Sequence, residues 1–410
     1  MRVAIVGAGI SSLVAAHLLS RRHQVTVFEA ADRIGGHTNT LDIELGGRSW
    51  PVDTGFIVFN NKTYPNFTKL MDQIGVSRKD SDMSFSVRDE ESGLEYNGTS
   101  LNSLFAQRSN LFRPSFWNMI REIMRFNREA PDVLETDEAN DTLDNYLDRH
   151  GYNGSFRKHY LIPMGAAIWS MPRSKLREFP IGFFVRFFHN HGFLSVNDRP
   201  QWYVIEGGSR SYLEPLCRPF AESIRTGTPV TSIRRFERHV EVNGESFDEV
   251  VIGAHSDQAL KMLDDPSAQE TEILSALPYQ GNTAVLHTDA SLLPQRKLAW
   301  ASWNYHLDGS SEDLPVPVTY NMNMLQGLDA PETFCVTLNR DAAIAKEKIL
   351  AEVPYHHPVY SLEGIAAQRR HGEISGERLT HYCGAYWRYG FHEDGVVSGL
   401  RVAERFGEQL

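Results

Sequence analysis

The sequence predicts an α/β fold built on a parallel sheet, and three observations predict it. An apolar, β-branched run from Arg2 to Val6 meets a glycine turn, VGAGISS, and then Ile10 to Leu19, where Leu13, Ala16 and Leu19 recur at helical spacing. A second alternating run, QVTVF at Gln24 to Phe28, follows and ends on Glu29. The third observation is size: 410 residues, 41% hydrophobic and 23% charged, exceed one typical core and suit two domains.

Each piece of this opening has a physical assignment. Gly7 permits the tight turn and Gly9 lets the backbone approach a pyrophosphate. The helix start at Ile10 and Ser11 offers free N–H groups to its negative charge. Ser12 stands where a third fingerprint glycine governs close packing of helix on strand, and a serine is small enough to be tolerated there. Glu29, about 20 residues beyond the glycines, is placed to hold a ribose hydroxyl pair and favours a free 2′-hydroxyl over a phosphorylated one. Together these predict a Rossmann-like nucleotide-binding unit; an ordinary strand-to-helix turn is the bland alternative.

Composition excludes several classes. A net charge of −11 argues against nucleic acid, whose phosphates need a basic surface. Cys217, Cys335 and Cys383 are odd in number and far apart, which suggests neither a disulfide framework nor zinc and fits a reducing cytoplasm. The start lacks signal-peptide order, and no apolar run is long enough to cross a bilayer. His189 with His191, and His356 with His357, lack metal-ligand helical spacing and a carboxylate, so turns and hydrogen bonding are expected of them and no metal.

Further motifs follow in order: EAADRIGGHTNT at 29–40, VDTGFIVFN at 52–60, VIEGGSRSYLEPL, TGTPVTSIRR, FDEVVIGAH at 247–255 and HYCGAYWRYGFHEDGVVSGLRVAERF from His381. On these the chain resembles the FAD-dependent amine oxidase, protoporphyrinogen oxidase and phytoene desaturase superfamily. The resemblance implies FAD as cofactor. Around Glu29, Ala30 and Asp32, it places Arg33, Gly35 and Gly36 in a D-R-x-G-G loop, with His37 for the usual arginine and Thr38 beyond it. It places Asp53 and Gly55, with Phe56 and Ile57, beside the flavin, and the Val230 backbone at the adenine. It leads Gly384 and Phe391 through His392, Glu393 and Asp394 into a helix at Gly395 aimed at the flavin pyrimidine edge, with Ser398, Gly399 and Ala403 on its small-residue side. The family's acidic residue after the loop glycine is Ala385 here. No second glycine fingerprint for a nicotinamide is present, which points to oxygen, a quinone or a carrier protein as electron acceptor.

The same resemblance implies a discontinuous FAD-binding domain, residues 1–60, 203–262 and 375–410. Residues 61–202 and 263–374 are left to an α+β substrate domain with a mixed sheet. Two stretches there are rich in aromatics: 179–194, with Phe183, Phe184, Phe187 and Phe188 at helical spacing, and 111–126, which adds Arg113, Arg121 and Arg125. They are either core or the wall of a tunnel for a long apolar substrate, the basic helix resting on an anionic membrane surface.

Amine oxidases of the superfamily carry a flavin-flanking tyrosine and a lysine near N5. The matching positions hold Phe391 and His287 with Thr288, and Lys297 lies well beyond. LIPMGAAIWSMP, HNHGFLSVNDRPQWYVIEGGSR, LAWASWNY, VTLNR, YHHPVYS and YCGAYWRYGFHEDG are similar to a bacterial branch encoded beside cyclopropane-fatty-acyl-phospholipid synthases. That similarity implies a hydrophobic or lipid substrate, such as a methyl-branched unsaturated acyl chain, and a synthase-type methyltransferase in the same pathway. With the cysteine usage, the expectation is a cytoplasmic protein; peripheral contact with the inner membrane face follows only on the reading in which the basic helix rests on a membrane. The expected chemistry is desaturation by hydride transfer to flavin N5, with His392, Tyr386, Tyr389 and His357 as candidate bases or proton relays, His392 foremost; for each, packing is the structural alternative. A flavin amine oxidase, and a redox-neutral or accessory flavoprotein of an acyl-modifying complex, are the rival readings.

Overall fold

The strand Arg2–Val6, the helix Ile10–Leu19 and the strand Gln24–Phe28 form at the predicted bounds in the computed structural model, which describes residues 1–152, 154–195, 200–309 and 311–410. Residues 196–199, inside the quoted stretch HNHGFLSVNDRPQWYVIEGGSR, lie outside the described residues. The two strands run parallel with Arg2 opposite Gln24 and Val6 opposite Phe28. Three strands from far along the chain complete a five-stranded sheet in the order Ile224–Arg225, Gln24–Phe28, Arg2–Val6, Glu249–Ile252, Thr380–Tyr382. Every pairing in it is parallel, and its central strands are near-continuous apolar runs, as expected when helices cover both faces. The strand expected over 247–255 is shorter, Glu249–Ile252; Phe247 instead ends an antiparallel hairpin with Val240–Val242.

The last helix spans His392–Arg405 and so begins three residues before Gly395. Asp394 explains the early start, because its side chain accepts the Phe391 N–H at 3.0 Å and caps the first turn. This helix lies directly on Ile10–Leu19. A Cβ on Gly399 would overlap the Ser11 carbonyl oxygen, and one on Gly395 would come within 2.6 Å of Ile10 Cγ2. The predicted small-residue side is therefore the contact face, and Ser398 adds a bond by accepting the Gly384 N–H at 3.0 Å.

Ser12 is fully buried, and its Oγ occupies the place where a Cβ on Gly253 would stand. The fingerprint's missing third glycine has in effect moved to the facing strand end. Gly253→Ala should cost about 1–3 kcal/mol through overpacking. Adding Ser12→Gly should restore most of it, read as a coupling energy in denaturant unfolding.

The second unit is built on a seven-stranded sheet ordered Ile349–Pro358, Tyr279–His287, Cys335–Leu338, Val318–Asn321, Trp303–Leu307, Phe85–Asp89, Leu94–Asn97. Only Trp303–Leu307 with Phe85–Asp89 is parallel, so the sheet is mixed as expected. The helices Pro114–Glu129, Ile162–Trp169 and Ile181–Asn190 bury Phe116, Phe126, Trp169, Phe184, Phe187 and Phe188 in the same core. The three cysteines are free and buried. Among the described residues, no helix is long and apolar enough to cross a membrane.

Candidate active site

At the nucleotide end, Glu29 ties two loops together. One carboxylate oxygen accepts the Ala8 N–H at 2.7 Å and the other the Ala31 N–H at 2.9 Å. Gly35 donates to the Ala8 carbonyl at 2.8 Å, which seats the D-R-x-G-G loop on the first glycine turn. Arg33 closes that loop with a bond to Gly36 O at 3.0 Å. The N–H groups of Gly227 and Thr228 donate to Ala31 O and Glu29 O, so the segment leading to Val230 runs beside the acid. Ala30 is exposed between them.

Gly9 shows that this cradle fits the phosphates of FAD. Its φ of −78° and ψ of 171° suit any residue, and a Cβ there would meet nothing within 4 Å. No feature of the polypeptide requires glycine at this point. The open space lies at the N-terminus of a ten-residue helix, beside Ile10, Ser11 and Gly36, where backbone N–H groups and helix dipole favour an anion.

Nearer the flavin end, Asp53 is a buried hub. It accepts from Thr40 Oγ1 at 2.5 Å, from the Ser209 N–H at 2.9 Å and hydroxyl at 2.8 Å, and from Gln326 Nε2 at 3.0 Å. Burial raises its carboxyl to about 6 against the pull of those donors. Gly55 passes so close to His37 that a Cβ would overlap the His37 carbonyl, which Phe56 N–H bonds at 2.7 Å. Ile57 packs into the adjoining core.

His392 sits beneath this loop, stacked on Phe56 at 3.6 Å between ring centroids. Its Nε2 lies 2.8 Å from the Tyr212 hydroxyl and 3.2 Å from Thr38 Oγ1, which is itself 2.5 Å from that hydroxyl. Burial lowers its pKa to about 3, so the ring is neutral. The favoured base is thus a member of a closed Thr38, Tyr212, His392 network, and Tyr212, quoted in its motif but not singled out, is the missed partner.

Glu393 and Asp394 both act as helix caps. Glu393 reaches back to cap the helix Pro65–Ile74, accepting from Asn66 N–H and Nδ2 and from Phe67 N–H at 2.7–3.1 Å. Asp394 caps its own helix, and burial pushes its carboxyl up to about 7 despite Arg388 at 3.5 Å. Orphan helix N–H groups have taken both carboxylates.

His37, in the arginine place, stacks on Tyr355 at 4.8 Å and lies 5.2 Å from His357. Burial, then the neighbouring histidines and Arg33, holds its pKa well below the ordinary value. Its Nε2 is buried with no hydrogen-bond partner, an atom a bound group can satisfy. His357 is anchored at Nδ1 by Asn282 Oδ1, 2.8 Å away, and burial lowers its pKa to about 4. Tyr355, bonded to Thr54 and Asn39, also escaped the sequence reading.

Tyr389 and Phe391 form an aromatic wall with the helix Ile181–Asn190. Phe183 meets Tyr389 at 4.6 Å and Phe187 stacks on Phe391 at 4.9 Å. The wall borders a cleft of about 660 Å³ lined by Tyr64, Asn127, His191, Tyr389, Phe391 and Asp394. Tyr386 is not brought into it. Its ring packs under Gly384 with Tyr279 and Trp387 in another core, where its buried hydroxyl is pushed up in pKa.

The positions compared with the amine-oxidase lysine lie elsewhere. His287 is buried at a strand end, 2.7 Å from Thr337 Oγ1, and Lys297 lies over Trp300 on a surface turn. His191 bonds the Phe187 carbonyl through Nδ1 at 2.9 Å. Among the described residues, no group of three or more His, Cys, Asp or Glu is gathered for a metal.

Comparison with known proteins agrees with this geometry. Residues 8–320 match the family model of flavin containing amine oxidoreductases. An L-amino-acid oxidase of Pseudechis australis is 47% identical over 55 residues, which is 13% of this chain and 10% of that protein. Among solved structures, cyclohexylamine oxidase from Brevibacterium oxydans IH-35A superimposes with a TM-score of 0.70 at 15% identity, covering 99% of both chains. A CLA-producing fatty acid isomerase from P. acnes gives 0.70 at 17% identity, covering 99% of this chain and 98% of the other. These likenesses establish the fold, and the family match spans three quarters of the sequence. The chain belongs to the flavin containing amine oxidoreductase family, and its cofactor is FAD.

Proposed function

We propose that this flavin-dependent oxidoreductase dehydrogenates a hydrophobic, lipid-like substrate, such as a methyl-branched unsaturated acyl chain. The observation that carries the reading is the aromatic wall at the cleft, where Tyr389 and Phe391 line the opening and Phe183 and Phe187 pack behind them. The fatty acid isomerase neighbour supports it by using the same fold. A cyclopropane-fatty-acid-synthase-type methyltransferase would supply the branched chain.

Bound FAD supplies the hydride acceptor, N5. Gly9, Ile10, Ser11, Arg33 and Gly36 would hold its phosphates, Glu29 its ribose, the Val230 segment its adenine, and Gly55 to Ile57 its ring. The aromatic wall orients an apolar chain and excludes water. His392, neutral, fixes the Tyr212 hydroxyl and is a positioning residue. His357, with Nδ1 engaged by Asn282, leaves its Nε2 lone pair to take a proton.

Anaerobic mixing of the holoenzyme with methyl-branched unsaturated phospholipid should bleach the flavin band at ~450 nm. Phe187→Ala should slow that bleaching by at least about tenfold, the price of misplacing the reacting carbon. Bleaching by amines and none by lipids would establish an amine oxidase instead; bleaching by neither would leave a redox-neutral or accessory flavoprotein.

A further inference from the structure

The surface around residues 101–121 departs from the rest of the chain. This stretch holds Arg108, Arg113 and Arg121 and no acidic residue, in a protein whose acids outnumber its bases 52 to 41. Among the described residues, six of the eleven large hydrophobic side chains left exposed gather here: Leu101, Leu111, Phe112, Trp117, Met124 and Leu298. Phe112 is 87% exposed and Leu101 78%. Scattered exposed hydrophobics are ordinary, but a contiguous group is not.

Contiguity follows from the packing. The turn Lys297–Ala299 lies on the short helix Leu101–Leu104, and Phe105 just beyond it meets the Trp117 ring at 5.3 Å. Trp117 donates its indole N–H to Leu111 O at 2.9 Å, which draws the Phe112 turn alongside. On the helix Pro114–Glu129, Phe116, Met119, Glu122 and Phe126 face the core. Trp117, Arg121, Met124 and Arg128 then form one outward stripe at spacings of four, three and four.

Arg128 at the end of the stripe pairs with Glu129, but the other charges on this surface lack counterparts. Arg108, Arg113, Arg121 and Lys297 have no carboxylate partner among the described residues, although most arginines of the chain are paired. Arg125, expected in the basic group, is not part of it: it bonds Glu129 and the His150 carbonyl and covers the Tyr152 ring.

We propose that this face docks on an anionic lipid bilayer, with Leu101, Phe112 and Trp117 entering the headgroup boundary and the four bases against lipid phosphates. A helix lying in the interface plane needs this alternation of aromatic and basic residues on one side. A second copy of the chain fits less well, because a two-fold contact would set the same unpaired arginines against one another. The helix that carries the stripe also lends Asn127 to the cleft, so docking would bring the cleft mouth to the membrane.

The test is co-sedimentation of the holoenzyme with phosphatidylcholine vesicles, with and without phosphatidylglycerol. Binding is expected only with phosphatidylglycerol and should weaken as salt rises. At about fivefold per basic residue, Arg113→Glu with Arg121→Glu should weaken it by at least roughly 25-fold. Phe112→Ser with Trp117→Ser should also release the protein, while both variants keep wild-type FAD content and melting temperature. Equal binding to neutral vesicles, no binding, or wild-type binding by either variant would overturn the proposal. So would a dimer in solution that Phe112→Ser with Trp117→Ser dissociates without any vesicle binding by the wild type. Vesicle binding is read without turnover, so its failure is separate from failure of the acyl-lipid reading.

Discussion

Gly9→Val is expected to yield a protein that folds and carries no FAD. The backbone at Gly9 is extended, with φ −78°, and the added side chain points into space empty of protein atoms. Unfolding of the apoprotein should therefore shift by no more than about 1 kcal/mol. The same space is where a pyrophosphate must approach the helix N-terminus, and a valine there removes that approach. Absorbance of the purified variant and its melting curve, compared with wild type stripped of cofactor, read the two effects separately. FAD retained at wild-type stoichiometry would place the phosphates elsewhere. Gly7 offers no such separation, because its φ of +90° and the Gly253 backbone at 3.3 Å make any side chain there a folding defect first.

Glu270→Ala is expected to cost about 3–5 kcal/mol of stability, the effect of stranding one member of a buried ion pair. Arg235 and Glu270 are almost fully buried and face each other in a two-pronged contact, with Arg235 Nη2 donating to Glu270 Oε2 at 3.0 Å. Glu270 also accepts the Ser267 N–H at 2.7 Å, which caps the helix Ala268–Ser275, and the Tyr382 hydroxyl at 2.7 Å, on the last strand of the parallel sheet. Asp265 gives Arg235 a partial substitute partner at 3.0 Å, which argues for the lower end of the range.

Burial alone would raise the Glu270 carboxyl, but Arg235, the Ser267 N–H and the Tyr382 hydroxyl outweigh it and hold the pKa at about 2. A carboxyl held lower in the folded than in the unfolded chain stabilises fully above its ordinary pKa of 4.5 and loses that contribution as pH falls toward about 2. Denaturant unfolding should thus show wild type converging on Glu270→Gln as pH drops below ~4.5, and a constant gap would contradict the assignment.

The nucleotide-binding start was legible because its signals are local. Period, glycine and terminal acid all sit within thirty residues, and strand, helix and strand form where they were expected. The small face of Ser398 and Gly399 was legible for the same reason. Glu393 and Asp394 were not, since their donors are set by folding; Asn66 and Glu393 stand 327 positions apart. Tyr212 and Tyr355 lie inside the motifs VIEGGSRSYLEPL and YHHPVYS, but nothing local marks either of them, and only the structure brings them to His392 and His37. The phenylalanine stripe of 183–188 packs as core on two sides: Phe184 and Phe188 stack on each other at 4.1 Å, while Phe183 and Phe187 turn to Tyr389 and Phe391, a division that helical spacing alone does not show.

The seating of Gly399 against Ser11 has a consequence for the order of events in biosynthesis. The phosphate-binding turn is translated almost four hundred residues before the segment that holds its helix. The central strand Arg2–Val6 likewise waits for Glu249–Ile252. Such distant closures are slow, and until they are made the nascent start exposes an unpaired apolar edge. Cofactor capture is therefore a late step, and release of a chain stopped short of residue 392 should yield an aggregation-prone protein without FAD.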